Sequence, residues 1–219
     1  MEIRMKTLGL ALILLFSIAT HGLAFTFVSE NQNSSAAVVP TLSTTLTNVG
    51  TGHLMVVCAG YYSTSAVSMT VSDGTSDFTP GTLLNQNNYY GQVFYKLEST
   101  APSTGTINYT VSFGMPIPAY ATVLVDELSY SGTAVVDAQA NNTGNSLSAQ
   151  SGYIDTTGND EAVIACSNHQ NGMINRSIGG VVVYPTPMTG FIHRGLFRSG
   201  WLAEYRGSQF LSFRKWRPA

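Results

Sequence analysis

Charge is scarce in this chain, and what there is lies sorted by sign. Asp, Glu, Lys and Arg make up 10% of the 219 residues, against roughly a quarter in an ordinary globular domain. Between Phe25 and Asn175 ten acids face a single base, Lys96, whereas from Arg176 onward seven bases accompany one acid, Glu204. An acidic body of this kind is a poor footprint for nucleic acid. The opposite signs suit two parts of one fold that pack together. Cysteine is scarcer still: Cys58 and Cys166 have no CxxC partner and no neighbouring cation, which leaves no motif for thiol redox chemistry. The four histidines (His21, His53, His169, His193) stand far apart, without HExxH or zinc-ligand spacing. His53, at a strand start, and His169, in a polar turn, read as solvated. A GxSxG nucleophile elbow is missing too, so neither a cofactor nor a metal is expected.

What the chain does have begins at its start. "MEIRMKTLGLALILLFSIATHGLAFTF" opens with Arg4 and Lys6, continues through an apolar run from Leu8 to Ala19, and reaches small residues at Gly22-Leu23-Ala24. That order and size predict a secretory signal peptide over 1–24, cleaved before Phe25. The run is short for a span of roughly 20 apolar residues, and no later stretch is longer. The expected mature protein is therefore secreted or held at the cell surface, with no membrane span.

Ser, Thr, Asn, Gly and Tyr fill the place of the missing charges, and no window past the leader has a helical period. Short β-rich runs are instead followed by Gly, Asn, Asp, Ser or Pro clusters. Strands are predicted at 25–29, 44–49, 53–62, 66–72, 89–98, 105–113, 120–130, 147–154, 161–168, 179–184 and, as two, within 190–206. "TGTINYTVSF" alternates cleanly, while "YATVLVDELSY" starts apolar on both faces and turns polar near its end, as a central strand does on leaving the core. Runs at this spacing predict an all-β fold: an antiparallel β-sandwich, jelly-roll-like, with a closed barrel as the alternative. The expected organisation is one domain over 25–206, then a basic, aromatic tail over 207–219.

Several side chains are candidates for chemistry. Cys58 and Cys166 sit in similar apolar strands, either paired as a disulfide in an exported protein or as two small core residues. Tyr61, Tyr62, Tyr89 and Tyr90, among Asn, Gln and Ser, are candidate stacking faces for a sugar, although neighbours on a strand put one ring in the core and one outside. Asp73 and Asp77 in "SDGTSD" are weak Ca²⁺ candidates, because two acids fall short of the six to eight oxygens required. Asp126 and Glu127 point to opposite faces of their strand, so a two-carboxylate glycosidase would need Glu127 with the distant Glu204.

The blocks "GHLMVVCAGYY", "MTVSDGTSDFTP", "GQVFYKL", "GTINYTVSF", "SYSGTAVVD", "GNDEAVIAC" and "WLAEYR", in that order, resemble a family of exported bacterial β-sandwich domains of largely unassigned function. The resemblance spans most of residues 45–206. It implies a sandwich module of extracellular or cell-surface proteins and no catalytic residues. Ser129 stands where the family commonly has an acid, and "GSQFLSFRKWRPA" does not read as its alternating last strand. A missing last strand would leave a sheet edge open to a neighbouring chain. The reading is thus a secreted, non-catalytic module with a structural or adhesive role; the alternative is a carbohydrate-binding module, and third comes a jelly-roll glycoside hydrolase. Surface glycans or another protein chain are the expected partners.

Overall fold

The computed structural model describes residues 25–97, 105–116, 118–146, 154–155, 161–170, 180–184, 189–190 and 204–216. The predicted leader, and the predicted strand at 147–154 apart from Ile154, lie outside the described residues. In chain order the strands are β1 (Phe25–Ser35), β2 (Thr41–Thr47), β3 (Leu54–Tyr62), β4 (Met69–Ser72), β5 (Thr79–Pro80), β6 (Leu84–Gln86), β7 (Tyr89–Lys96) and β8 (Thr106–Phe113). There follow β9 (Tyr120–Tyr130), β10 (Thr133–Ser146), β11 (Ile154–Asp155), β12 (Glu161–Gln170), β13 (Gly180–Tyr184), β14 (Thr189–Gly190) and β15 (Glu204–Trp216). Among the described residues there is no helix, and every strand pairing is antiparallel.

A six-stranded sheet in the order β1-β9-β3-β7-β5, with β6 also on β7, lies at the centre. The three-stranded sheet β2-β8-β4 packs on one face, and β10-β15-β12-β13 on the other. The first interface joins Met55, Val57, Tyr61, Phe94, Val123 and Val125 to Leu42, Leu46, Tyr109 and Val111. The second joins Leu54, Val56, Cys58, Val93, Leu124 and Leu128 to Ala134, Ala162, Ile164 and Cys166. Eight consecutive residues are buried in each of β3 and β9, and burial on both faces is why β3 is almost wholly apolar; in β9 the buried stretch also takes in Thr122, Asp126 and Glu127. β8, covered on one face only, keeps strict alternation, with Ile107, Tyr109, Val111 and Phe113 inward.

The chain changes layers at "YSG". Ser131-Gly132 connects β9 of the central sheet to β10 of the outer one, and Gly132 takes φ +85°, a conformation that suits glycine. Asn87 and Asn88, both with positive φ, close the two-residue hairpin between β6 and β7.

Two edges are capped by side chains. Asn31 and Asn33 on β1 donate their amides to the carbonyls of Thr45 and Ser43 on β2, each at 2.7 Å. Their amide oxygens accept from the backbone N–H of Gln32 and Ser34, each at 2.8 Å. The edges of the two neighbouring sheets are thereby stitched together, and backbone groups that another strand would use are already bonded.

The C-terminal part corrects the predicted organisation. Residues 204–216 form β15, a central strand paired to β10 on one side and β12 on the other. The boundary at 206 falls inside it. β10 was not predicted as a strand at all. Register shifts between Val136 and Ala138 and between Thr143 and Ser146 interrupt the period of two by which a strand is recognised.

Candidate functional site

The least ordinary group in the described interior is Glu127, a fully buried carboxylate. It occupies β9 two residues after Val125 and so faces the β2-β8-β4 side, at the edge of the first core cluster. Its Oε1 accepts from the backbone N–H of Gly50 at 2.8 Å and from His53 Nδ1 at 2.7 Å, and its Oε2 from Ser29 Oγ at 2.6 Å. His53, read from sequence as a solvated residue, is instead a hydrogen-bond partner of this carboxyl, with 23% of its side chain exposed. A Cβ at Gly50 would overlap the His53 ring, so a larger residue there would have to displace that ring.

Serine, histidine and carboxylate are all present, but in the wrong order for a nucleophile. In a catalytic triad the histidine lies between the acid and the hydroxyl, so that it can take the proton. Here the carboxylate is in the middle, and Ser29 and His53 bind different oxygens of it. The group clamps β1 and the loop at Gly50–His53 onto β9. Pairing Glu127 with Glu204 for glycoside hydrolysis is not what the topology offers. Glu204 begins β15 in the sheet on the other face, with the central sheet between them.

Asp126, next along β9, faces that other side. It is 2% exposed, its Oδ2 has no hydrogen-bond partner, and Glu30 sits directly across from it on β1. Burial, and then the Glu30 charge, push its carboxyl up to about 7. The unfolded chain would ionise this residue from about pH 4, so between pH 4 and 7 the folded state binds more protons. Stability should therefore fall as pH rises through that window, by up to about 1.4 kcal/mol per pH unit, and level off above it. Asp126→Asn should flatten that limb in urea titrations at a series of pH values.

The tyrosine quartet divides in two. Tyr61 is fully buried and stacks on Tyr90 with ring centroids 4.7 Å apart and planes 8° apart. Its hydroxyl donates to Val67 O at 2.8 Å and accepts from Val67 N at 2.7 Å. Burial dominates its acidity; the Val67 bond works against that and Tyr90 with it, and the phenol ends near 12. Tyr61 and Tyr90 are therefore core residues and not ligand faces. Tyr61→Phe would strand two buried backbone groups and should cost about 1–3 kcal/mol, measured by chemical denaturation. Tyr62 and Tyr89 are half-buried, with centroids 5.0 Å apart, and Tyr120, which the sequence did not single out, adds an edge-on ring 6.1 Å from Tyr62. The register places Tyr89, Tyr62 and Tyr120 in one row across β7, β3 and β9.

Asp73 is bonded to Lys96 and to its own turn. Its Oδ2 accepts from Lys96 Nζ at 2.6 Å, and its Oδ1 from Thr75 N, Thr75 Oγ1 and Ser76 N. Burial would raise this carboxyl, but the bonds from Lys96, Thr75 and Ser76 outweigh it and hold it near 2. Asp77 is exposed and forms a bridge with Ser72. Among the described residues no group of three or more His, Cys, Asp or Glu is placed to hold a metal ion. Lys96, the single base between Phe25 and Asn175, is thus spent on tying the central sheet to the turn after β4.

Cys58 and Cys166 form a disulfide, with Cα atoms 5.9 Å apart and a sequence separation of 108. It runs from β3 of the central sheet to β12 of the outer one, inside the second core cluster. No protein-family model matches the chain, and no curated protein or solved structure shows significant similarity to it.

Proposed function

We propose that this chain is an exported, non-catalytic β-sandwich module, jelly-roll-like in type, with a structural or adhesive role at the cell surface or outside the cell. The observation that carries this reading is how two carboxyl groups, Glu127 and Asp73, are used. Glu127 bonds Ser29, Gly50 and His53, and Asp73 bonds Lys96 and its own turn, so these charges stiffen a frame instead of facing a substrate. The disulfide and the asparagine-capped edges serve the same end. The basic, apolar, small-residue order of the first 24 residues supports export. Producing the full chain in an exporting host tests the reading: a polypeptide beginning at Phe25 outside the cytoplasm is expected. Retention inside the cell with residues 1–24 attached would end it.

A second reading, a carbohydrate-binding module, is favoured by the half-buried row Tyr62, Tyr89 and Tyr120, since partly exposed rings can stack on a sugar. A glycan array decides it. Retention that disappears in Tyr62→Ala and Tyr89→Ala supports the row as a sugar site, and no retention by the wild-type chain removes it.

A further inference from the structure

We propose that the chain is two structural units, residues 25–130 and 133–216, and that docking of the second onto the first depends on oxidation of Cys58 and Cys166. The topology carries the division. Both the six-stranded and the three-stranded sheet are built wholly from residues 25–130, whereas the four-stranded sheet and the β11-β14 pair are built wholly from residues 133–216. Among the described residues no ladder of backbone hydrogen bonds joins the two sets, and the chain crosses between them at the Ser131-Gly132 turn. The first core cluster, including Tyr61, Tyr109 and Phe94, draws only on residues of the first unit, which therefore has an interior of its own. The second cluster is shared: Leu54, Val56, Val93, Leu124 and Leu128 from one unit meet Ala134, Ala162 and Ile164 from the other. The disulfide is the covalent tie across that shared layer.

Charge aids docking without enforcing it. From Phe25 to Tyr130 the sequence has six acids and one base, and from Thr133 to the end five acids and seven bases, so the units differ in sign. Attraction between net charges of opposite sign is screened over about 8 Å at physiological ionic strength. In the reduced chain the first unit keeps its two packed sheets while the second samples undocked states. Oxidation then closes the bridge: one cysteine thiolate attacks an external disulfide, releasing one thiol, and the other thiolate displaces the second thiol from the mixed disulfide. The external disulfide accepts the two electrons, and the two cysteine protons pass to solvent or to the released thiolates. Once closed, the bridge is buried, with Cys58 1% and Cys166 7% exposed, which protects it from later exchange.

Hydrogen exchange followed by mass spectrometry on the full chain tests this, comparing the oxidised protein, the same protein reduced with dithiothreitol, and Cys58→Ala/Cys166→Ala. On losing the bridge, amides of β3, β8 and β9 should stay within roughly tenfold of their oxidised protection, while those of β12 and β15 should lose roughly a hundredfold or more. Two results overturn the proposal: loss of protection in all these strands together, or unchanged protection of β12 and β15 without the bridge. Should the double variant fail to fold, the reduced wild-type chain decides, because it carries no substitution.

Discussion

Cys58→Ala/Cys166→Ala is expected to lower the stability of the docked structure by roughly 4–5 kcal/mol, the largest effect of any change considered for this protein. The estimate follows from loop closure: the bridge joins residues 108 apart, and in the chain-entropy account a loop of about that length is worth nearly 5 kcal/mol. Alanine is the proper replacement because the site is apolar, bounded by Val93, Leu124 and Ile164; serine would add the separate cost of burying two hydroxyls. Urea titration of the two forms, followed by a probe in the second unit, gives the number. A loss under about 1 kcal/mol would mean that the unbridged chain already holds the outer sheet in place by other contacts.

Glu127→Ala should be nearly as damaging, costing about 3–5 kcal/mol, because three donors lose their acceptor at once. Ser29 Oγ and the Gly50 N–H would be left in a site where the carboxylate itself has no exposure. His53 would lose its anchor and can turn to solvent, since part of its ring is already there. Removing only His53 should therefore cost much less than removing Glu127. Glu127→Gln should fall between, keeping one acceptor oxygen and adding donors where donors already converge. Thermal melts of the three variants give the ranking, and a Glu127→Ala protein as stable as wild type would show that the clamp contributes nothing net. The carboxyl is bonded at both oxygens within the protein.

Acid and base limbs of the stability profile should be separable. The paired Asp73 contributes stability that is present above about pH 4 and is lost as pH falls toward 2, because its folded carboxyl is held down. Asp126 acts in the opposite sense over pH 4 to 7. Asp126→Asn and Asp73→Asn should thus alter different arms of the same curve.

Some of this architecture could be read directly from the residues. β8 and β9 appear at nearly their predicted bounds, since alternation over "TINYTVSF" and a largely apolar start over "YATVLV" are local consequences of one-sided and two-sided burial. The opposite orientation of Asp126 and Glu127 follows equally from the period of two. Other features were illegible for a physical reason. The bulges in β10 break that period, and β15 was set aside as a tail because its pairing partners lie in β10 and β12, far away in sequence. Adjacent tyrosines must point apart, yet only the position of the β2-β8-β4 sheet makes Tyr61 the core member and leaves Tyr62 at the rim.

Alternation and turn chemistry, which depend on neighbours a few residues apart, by themselves determined that this chain forms antiparallel strands and which strands are buried on both faces. Tertiary structure alone decided that the central sheet is covered twice, that Cys58 meets Cys166, and that Glu127 finds Ser29, Gly50 and His53. Those contacts join residues 74 to 108 positions apart, and such separations leave no periodic trace in a sequence: the partners are chosen by how the sheets stack.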